Sequence, residues 1–183
     1  MLRLWGRTSS INVRKVLWTL QELGVPFERI DAGLAYGHNH TPDYLAKNPN
    51  ALVPMLEDGD FTLWESNAIV RYLCAKYGDA TLYPEDLRQR FDAERWMDWQ
   101  QTTLNRAGGP AFIQWIRTPA EQRQLAVIAQ SVAATDAAIT CGLRCSAGVR
   151  IHCLKAGPLA GFSSVCCQSI QRSASKRCRM SWG

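Results

Sequence analysis

The sequence predicts an α/β fold over residues 1–78, arranged as βαβ followed by ββα, with an incomplete all-helical domain after it. Three observations predict this. The first thirty residues pass from strand-like to helix-like and back to strand-like apolar spacing. The stretch 50–68, NALVPMLEDGDFTLWESNA, reads as a hairpin running directly into a helix. From residue 85 to about 135 the apolar residues recur at helical spacing.

Leu2-Arg3-Leu4-Trp5 reads as the first strand and Gly6 to Ser10 as a loop. Val13, Val16, Leu17, Leu20 and Leu23 then form one apolar helix face, which Gly24 ends. Pro26 to Asp31 suits a second strand, and Gly33 to His40 is a loop. Thr41-Pro42 has the pattern of a helix cap with proline at the first helical position. The runs VPML and FTLW make the hairpin strands, joined by Glu57-Asp58-Gly59-Asp60, and a helix follows from Ser66 to Gly78. Pro54 opens its strand, where it cannot donate to a ladder and forces Val53 to be extended.

Residues 79–84 read as a linker. A long helix is expected from Glu85 to about Arg106, broken by Gly108-Gly109-Pro110, with Thr118-Pro119 capping another through Leu125, Ile128 and Val132. This makes 85–135 a partial helical domain. From about Asp136 the chain is rich in Cys, Ser, Arg and Gly and shows no sustained period.

The net charge of +5 belongs to that tail: residues 1–135 carry 14 Lys/Arg against 15 Asp/Glu, and 136–183 carry 7 against Asp136 alone. Nucleic acid is therefore not an expected partner of the folded part. The N-terminus has no apolar leader, and no stretch approaches the ~20 apolar residues of a membrane span, so a cytoplasmic chain with no membrane partner is expected. Six of the seven cysteines follow residue 135, in spacings that match no zinc pattern, and no metal site is expected. Cys74 falls mid-helix, where a buried and inert thiol is expected.

Ser10 lies between a strand and a helix start, so free N–H groups and the helix's positive end surround its hydroxyl. A thiol with a pKa of about 8.5 is lowered toward neutrality in such a place, and the thiolate is the nucleophile. The plainer alternative is that Ser10 only caps the helix, and Ser9 offers a second hydroxyl. Val53, extended before a proline, can present its N–H and C=O to an added peptide, and Ser66 at a strand-to-helix junction can hold a carboxylate. A thioredoxin or glutaredoxin would need a cysteine where Ser10 stands. Trp96 and Trp99 line either an apolar pocket or a core.

VP, the hairpin and ES-x-A-I-x-x-Y-L resemble, in order, the thioredoxin-like domain of glutathione S-transferases over roughly residues 1–105. Ser10-Ile11-Asn12-Val13-Arg14 is similar to the serine-x-proline-x-arginine stretch of the serine-type theta and delta classes, of bacterial character, with Asn12 in place of the proline. The resemblance implies a cis Pro54 and glutathione as co-substrate. It implies Ser10 (or Ser9) at the sulfur, Val53 on the cysteinyl backbone, Ser66 on the γ-glutamyl carboxylate, Glu65 beside its ammonium, and His40 toward the glycyl carboxylate. The implied reaction is conjugation to a small apolar electrophile. Glutathione-dependent disulfide or peroxide reduction, and a non-catalytic binding module, stand as alternatives. It also implies that the tail replaces further helices, as a truncation or frame shift near 136–140 would, which weakens the homodimer usual in the family.

Overall fold

The computed structural model describes residues 1–145, with side chains described as far as residue 142. They fall in two compact units, Met1–Glu85 and a second from Asp86 onward. The first unit holds β1 (Leu2–Trp5), α1 (Ile11–Glu22), β2 (Phe27–Ile30), a 3-10 turn at Leu34–Tyr36, α2 (Pro42–Lys47), β3 (Met55–Asp58), β4 (Phe61–Trp64) and α3 (Ser66–Tyr77). The sheet order is β2-β1-β3-β4, with β1 parallel to β2 and antiparallel to β3, and β3 antiparallel to β4. This is the expected thioredoxin-like arrangement.

Local chemistry accounts for the end of α1 and the start of α2. Helix α1 ends where Gly24, at φ +63°, donates to Gln21 C=O (3.1 Å) and Val25 donates to Leu20 C=O (3.2 Å), the paired bonds of a glycine-terminated helix. The Thr41 hydroxyl accepts the Tyr44 N–H (3.4 Å), and Pro42 takes the first position of α2, where no N–H is needed. The core of this unit is Leu2, Leu4, Val13, Val16, Leu20, Met55, Leu56, Ile69 and Leu73, all buried.

Two details of the hairpin differ from the sequence expectation. Strand β3 begins at Met55, so Val53 and Pro54 precede the ladder rather than join it. The turn is only Gly59-Asp60, with Gly59 at φ +65°, and Glu57 and Asp58 belong to the strand. Both carboxylates are used. Glu57 bridges Arg3 (3.0 Å) and Lys47 (2.5 Å). Asp58 Oδ2 accepts from Tyr72 (2.7 Å), Lys76 (2.6 Å) and Tyr77 (2.8 Å), tying the hairpin to α3.

The second unit departs further from expectation. Its helices are α4 (Leu87–Trp99), α5 (Asn105–Phe112) and α6 (Leu125–Cys145), with π-helical turns at Gln100–Leu104 and Ile113–Arg117. Gly108-Gly109-Pro110 lies inside α5 instead of breaking it. The reason is tertiary: the buried Ser131 hydroxyl of α6 donates to Ala107 C=O (2.6 Å) and accepts the Ala111 N–H (3.1 Å), inserting into the ladder beside the proline. Thr118-Pro119 starts only a 3-10 turn, Ala120–Gln122, and the Thr118 hydroxyl bonds back to Ile113 C=O (3.1 Å). Helix α6 runs on past Asp136 to Cys145, where the sequence showed no sustained period. Its Leu125–Gly142 window has a mean hydropathy of 1.4, long and apolar enough by length and composition to cross a membrane, contrary to the expectation of no such stretch. Residues 146–183, and with them most of the predicted tail, lie outside the described residues.

Candidate functional site

Register gathers the predicted residues at one end of the sheet. Trp5 pairs with Ile30 on one side and Met55 on the other, and Met55 pairs with Trp64. The segments that continue from this row all leave the sheet at the same end. They are Gly6 to Ser10 after β1, Asp31 onward after β2, Val53-Pro54 before β3, and Glu65-Ser66 after β4. Because β4 runs parallel to β1, helices α1 and α3 start at that same end.

Ser10 sits at the α1 start with φ −90° and ψ 123°, only 5% exposed. Its backbone is fully engaged: its N–H donates to Arg7 C=O (3.2 Å) and its C=O accepts the Arg14 N–H (3.0 Å). Its hydroxyl makes no capping bond, so the capping role that serine ordinarily fills is not the role seen here. Ser9 is exposed in the preceding turn. Asn12, in the first turn of α1, is half-buried, and its Oδ1 has no hydrogen-bond partner among the described residues.

The Val53–Pro54 peptide is cis, as the resemblance implies. Among the described residues no hydrogen bond reaches the Val53 N–H or C=O. The backbone just ahead is firmly held. Leu52 C=O accepts from the Tyr44 hydroxyl (2.6 Å) and Asn48 Nδ2 (2.8 Å), and Ala51 C=O accepts from Asn39 Nδ2 (2.6 Å). Burial pushes the Tyr44 phenol up to about 12, with the Asn48 hydrogen bond pulling the other way, so it stays a donor.

Helix α3 starts at Ser66, where the sequence puts it. The cap position is Glu65, at φ +73° and ψ 110°, and Ser66 is the first helical residue. A positive φ on a non-glycine residue costs of order 1–3 kcal/mol and concentrates at functional positions. Glu65 is exposed and Ser66 is 2% exposed. Asn67, half-buried in the first turn of α3, accepts from the buried Lys15 ammonium (2.8 Å). His40 is exposed, on the loop that leaves β2, and His38 stacks edge-on to Trp5 at 6.3 Å.

Sequence reasoning missed Arg7, Lys15, Asn39, Tyr44 and Asn48. Arg7 is buried, and its guanidinium lies where a Cβ on Gly33 would come within 2.5 Å of Nη1 and 3.5 Å of Val53 Cγ1. Nothing in local hydropathy marks these polar residues as interior. Only the Asn-x-Asn spacing at 48–50 hints at a turn. Cys74 is buried in α3, and burial pushes its thiol up to about 11, consistent with an inert residue. Trp96 and Trp99 meet edge to face at 5.4 Å, and a Cβ on Gly142 of α6 would come within 3.3 Å of both rings, so the pair packs inside the helical unit.

A mixed four-stranded sheet with a cis-proline ahead of its third strand, and two serines at helix starts at one end of the sheet, is a thioredoxin-like domain. The chain belongs to the glutathione S-transferase family. The family model for the glutathione S-transferase N-terminal domain matches residues 1–75. The chain is 50% identical over 139 residues to the Escherichia coli glutathione S-transferase GstB, covering 75% of this chain and 67% of that one. It is 34% identical over 118 residues to a probable glutathione S-transferase of rice, Oryza sativa, covering 64% of this chain and 55% of the other. In structure it is similar to the theta class glutathione S-transferase of the citrus canker pathogen Xanthomonas axonopodis pv. citri, solved with glutathione bound. That match has a TM-score of 0.76 and 34% identity, covering 94% of this chain and 96% of that one.

Proposed function

We propose that this chain binds glutathione across that end of the sheet and activates its thiol for conjugation to a small apolar electrophile. The observation that carries the proposal is Ser10: a buried hydroxyl at a helix start, free of any capping bond, at the same sheet end as Ser66. The tripeptide lies along Val53, whose N–H and C=O take its cysteinyl backbone as an added strand would. Ser66 and the N–H groups of the α3 start take the γ-glutamyl carboxylate. Glu65, held at a strained φ, faces the ammonium. The Asn12 carboxamide and His40 supply polar contacts at the cysteinyl and glycyl ends.

With the ligand so placed, the Ser10 hydroxyl donates to the sulfur, and the positive end of α1 favours the anion. The thiol proton leaves to solvent. The thiolate then forms a carbon–sulfur bond as the electrophile's leaving group departs with its bonding electrons, or adds across an activated double bond. The reaction belongs in the cytoplasm, where the thiol pool stays reduced.

The test compares wild type and Ser10→Ala for the pH dependence of the bound thiolate's ultraviolet absorbance and for turnover of an aryl halide. A thiolate present in wild type near neutral pH and lost in the variant supports the proposal. Disulfide or peroxide reduction without conjugation would replace it with a reductase. Retention on immobilised glutathione with neither activity would replace it with a binding module.

A further inference from the structure

We propose that Lys15 is a positioning residue for the γ-glutamyl carboxylate, acting through Asn67 at the start of α3. The inference rests on the assignment of Ser66 to that carboxylate. Lysine is rarely buried, because desolvating an ammonium is costly. Lys15 is nonetheless 4% exposed, and its Nζ donates to Asn67 Oδ1 at 2.8 Å. The two helices do not need this cation to adhere. Helices α1 and α3 pack on each other, and Val13, Val16 and Leu20 of one and Ile69, Val70 and Leu73 of the other are all buried.

Geometry gives the cation a different use. Helical side chains lean toward their own N-terminus, so the Lys15 stem reaches back toward the helix start that carries Ser10. Its ammonium ends on the residue directly after Ser66. It therefore locks the register between the two helix starts. It also brings an ammonium to the α3 start, whose N–H groups would receive a carboxylate, in a setting that water screens poorly. A neutral donor could hold Asn67 equally well, but it could not supply the charge.

The experiment measures glutathione KM, kcat and Kd for wild type, Lys15→Met, Lys15→Gln, Lys15→Arg and Ser66→Ala. It adds the Kd of a glutathione analogue in which the γ-glutamyl α-carboxylate is replaced by hydrogen. Lys15→Met and Lys15→Gln are expected to raise KM and Kd for glutathione about tenfold while kcat at saturation stays within about twofold. The analogue should bind these variants as it binds wild type, and Lys15→Arg should restore glutathione binding. Lys15→Gln keeps a donor for Asn67 and serves if the methionine variant does not fold. Equal weakening toward glutathione and the analogue, or unchanged glutathione binding while Ser66→Ala weakens it, would overturn the role of Lys15 and leave the Ser66 assignment standing. A wild-type protein that binds both ligands equally would overturn the Ser66 assignment, and the inference with it.

Discussion

A hydroxyl that donates to a thiolate is worth what a hydrogen bond to a charged group is worth, about 1.5–3 kcal/mol. Removing it with Ser10→Ala should raise the bound thiol's pKa by about one to two units at about 1.4 kcal/mol each. Conjugation near neutral pH should fall about ten- to hundredfold, as read from thiolate absorbance and kcat/KM. Ser9→Ala, on an exposed turn, should change neither; an effect there equal to that at Ser10 would reassign the hydroxyl. Gly33 is a second residue whose identity the backbone constrains. At φ +85° and ψ 151° it occupies a region reserved for glycine, and an added Cβ would strike the Arg7 guanidinium. Gly33→Ala should cost about 1–3 kcal/mol, visible as a Tm several degrees lower.

Among the elements, α3 is held at both ends by polar contacts. Its start is tied by Lys15–Asn67 and its last turns by Asp58. Burial alone would raise the Asp58 carboxyl, but hydrogen bonds from Lys76, Tyr72 and Tyr77 outweigh it and hold the group at about 2. The Lys76 partner is largely exposed, so solvent screening discounts the pair. Asp58→Asn should cost about 1–2 kcal/mol of stability, measured by denaturant unfolding. In the helical unit, Ser131→Ala removes the hydroxyl inserted between Ala107 and Ala111. A loss of about 1–3 kcal/mol is expected, with α5 amides exchanging faster with solvent. Unchanged exchange would mean the proline is accommodated by α5 alone.

For the whole molecule the shifted groups bound a window of stability. Asp58, ordinarily at 3.8 and held at about 2, contributes stability above its ordinary value that is lost as pH falls toward 2. Glu57, likewise lowered, adds to the same acid limb. Cys74 and Tyr44 act on the other side. Their folded forms keep a proton that the unfolded chain releases at 9.0 and 10.0, so stability is full below those values and falls as pH climbs toward 11 and 12. Unfolding free energy should therefore be flat between about pH 5 and 8 and decline on both sides. Cys74→Ala should shallow the alkaline limb without altering the acid one; an unchanged alkaline slope would remove Cys74 from this account.

The sequence by itself determined the order of strands and helices in residues 1–78, the glycine stop after α1, the Thr41-Pro42 start of α2 and the hairpin at Gly59. Each depends on contacts within a few residues, which propensity and periodicity report directly. Ser10, Val53, Pro54, Glu65 and Ser66 could be put forward as a candidate site for the same reason, since all sit at junctions between elements. The tertiary structure alone decided which serine is buried, that Glu65 takes a positive φ, and that α5 continues through Gly109-Pro110. It also decided that Lys15, Arg7 and Asn39 turn inward. Those outcomes depend on partners far along the chain, such as Ser131 for α5, Asn67 for Lys15 and Ala51 for Asn39, and a hydrogen bond across such a distance leaves no period in the sequence.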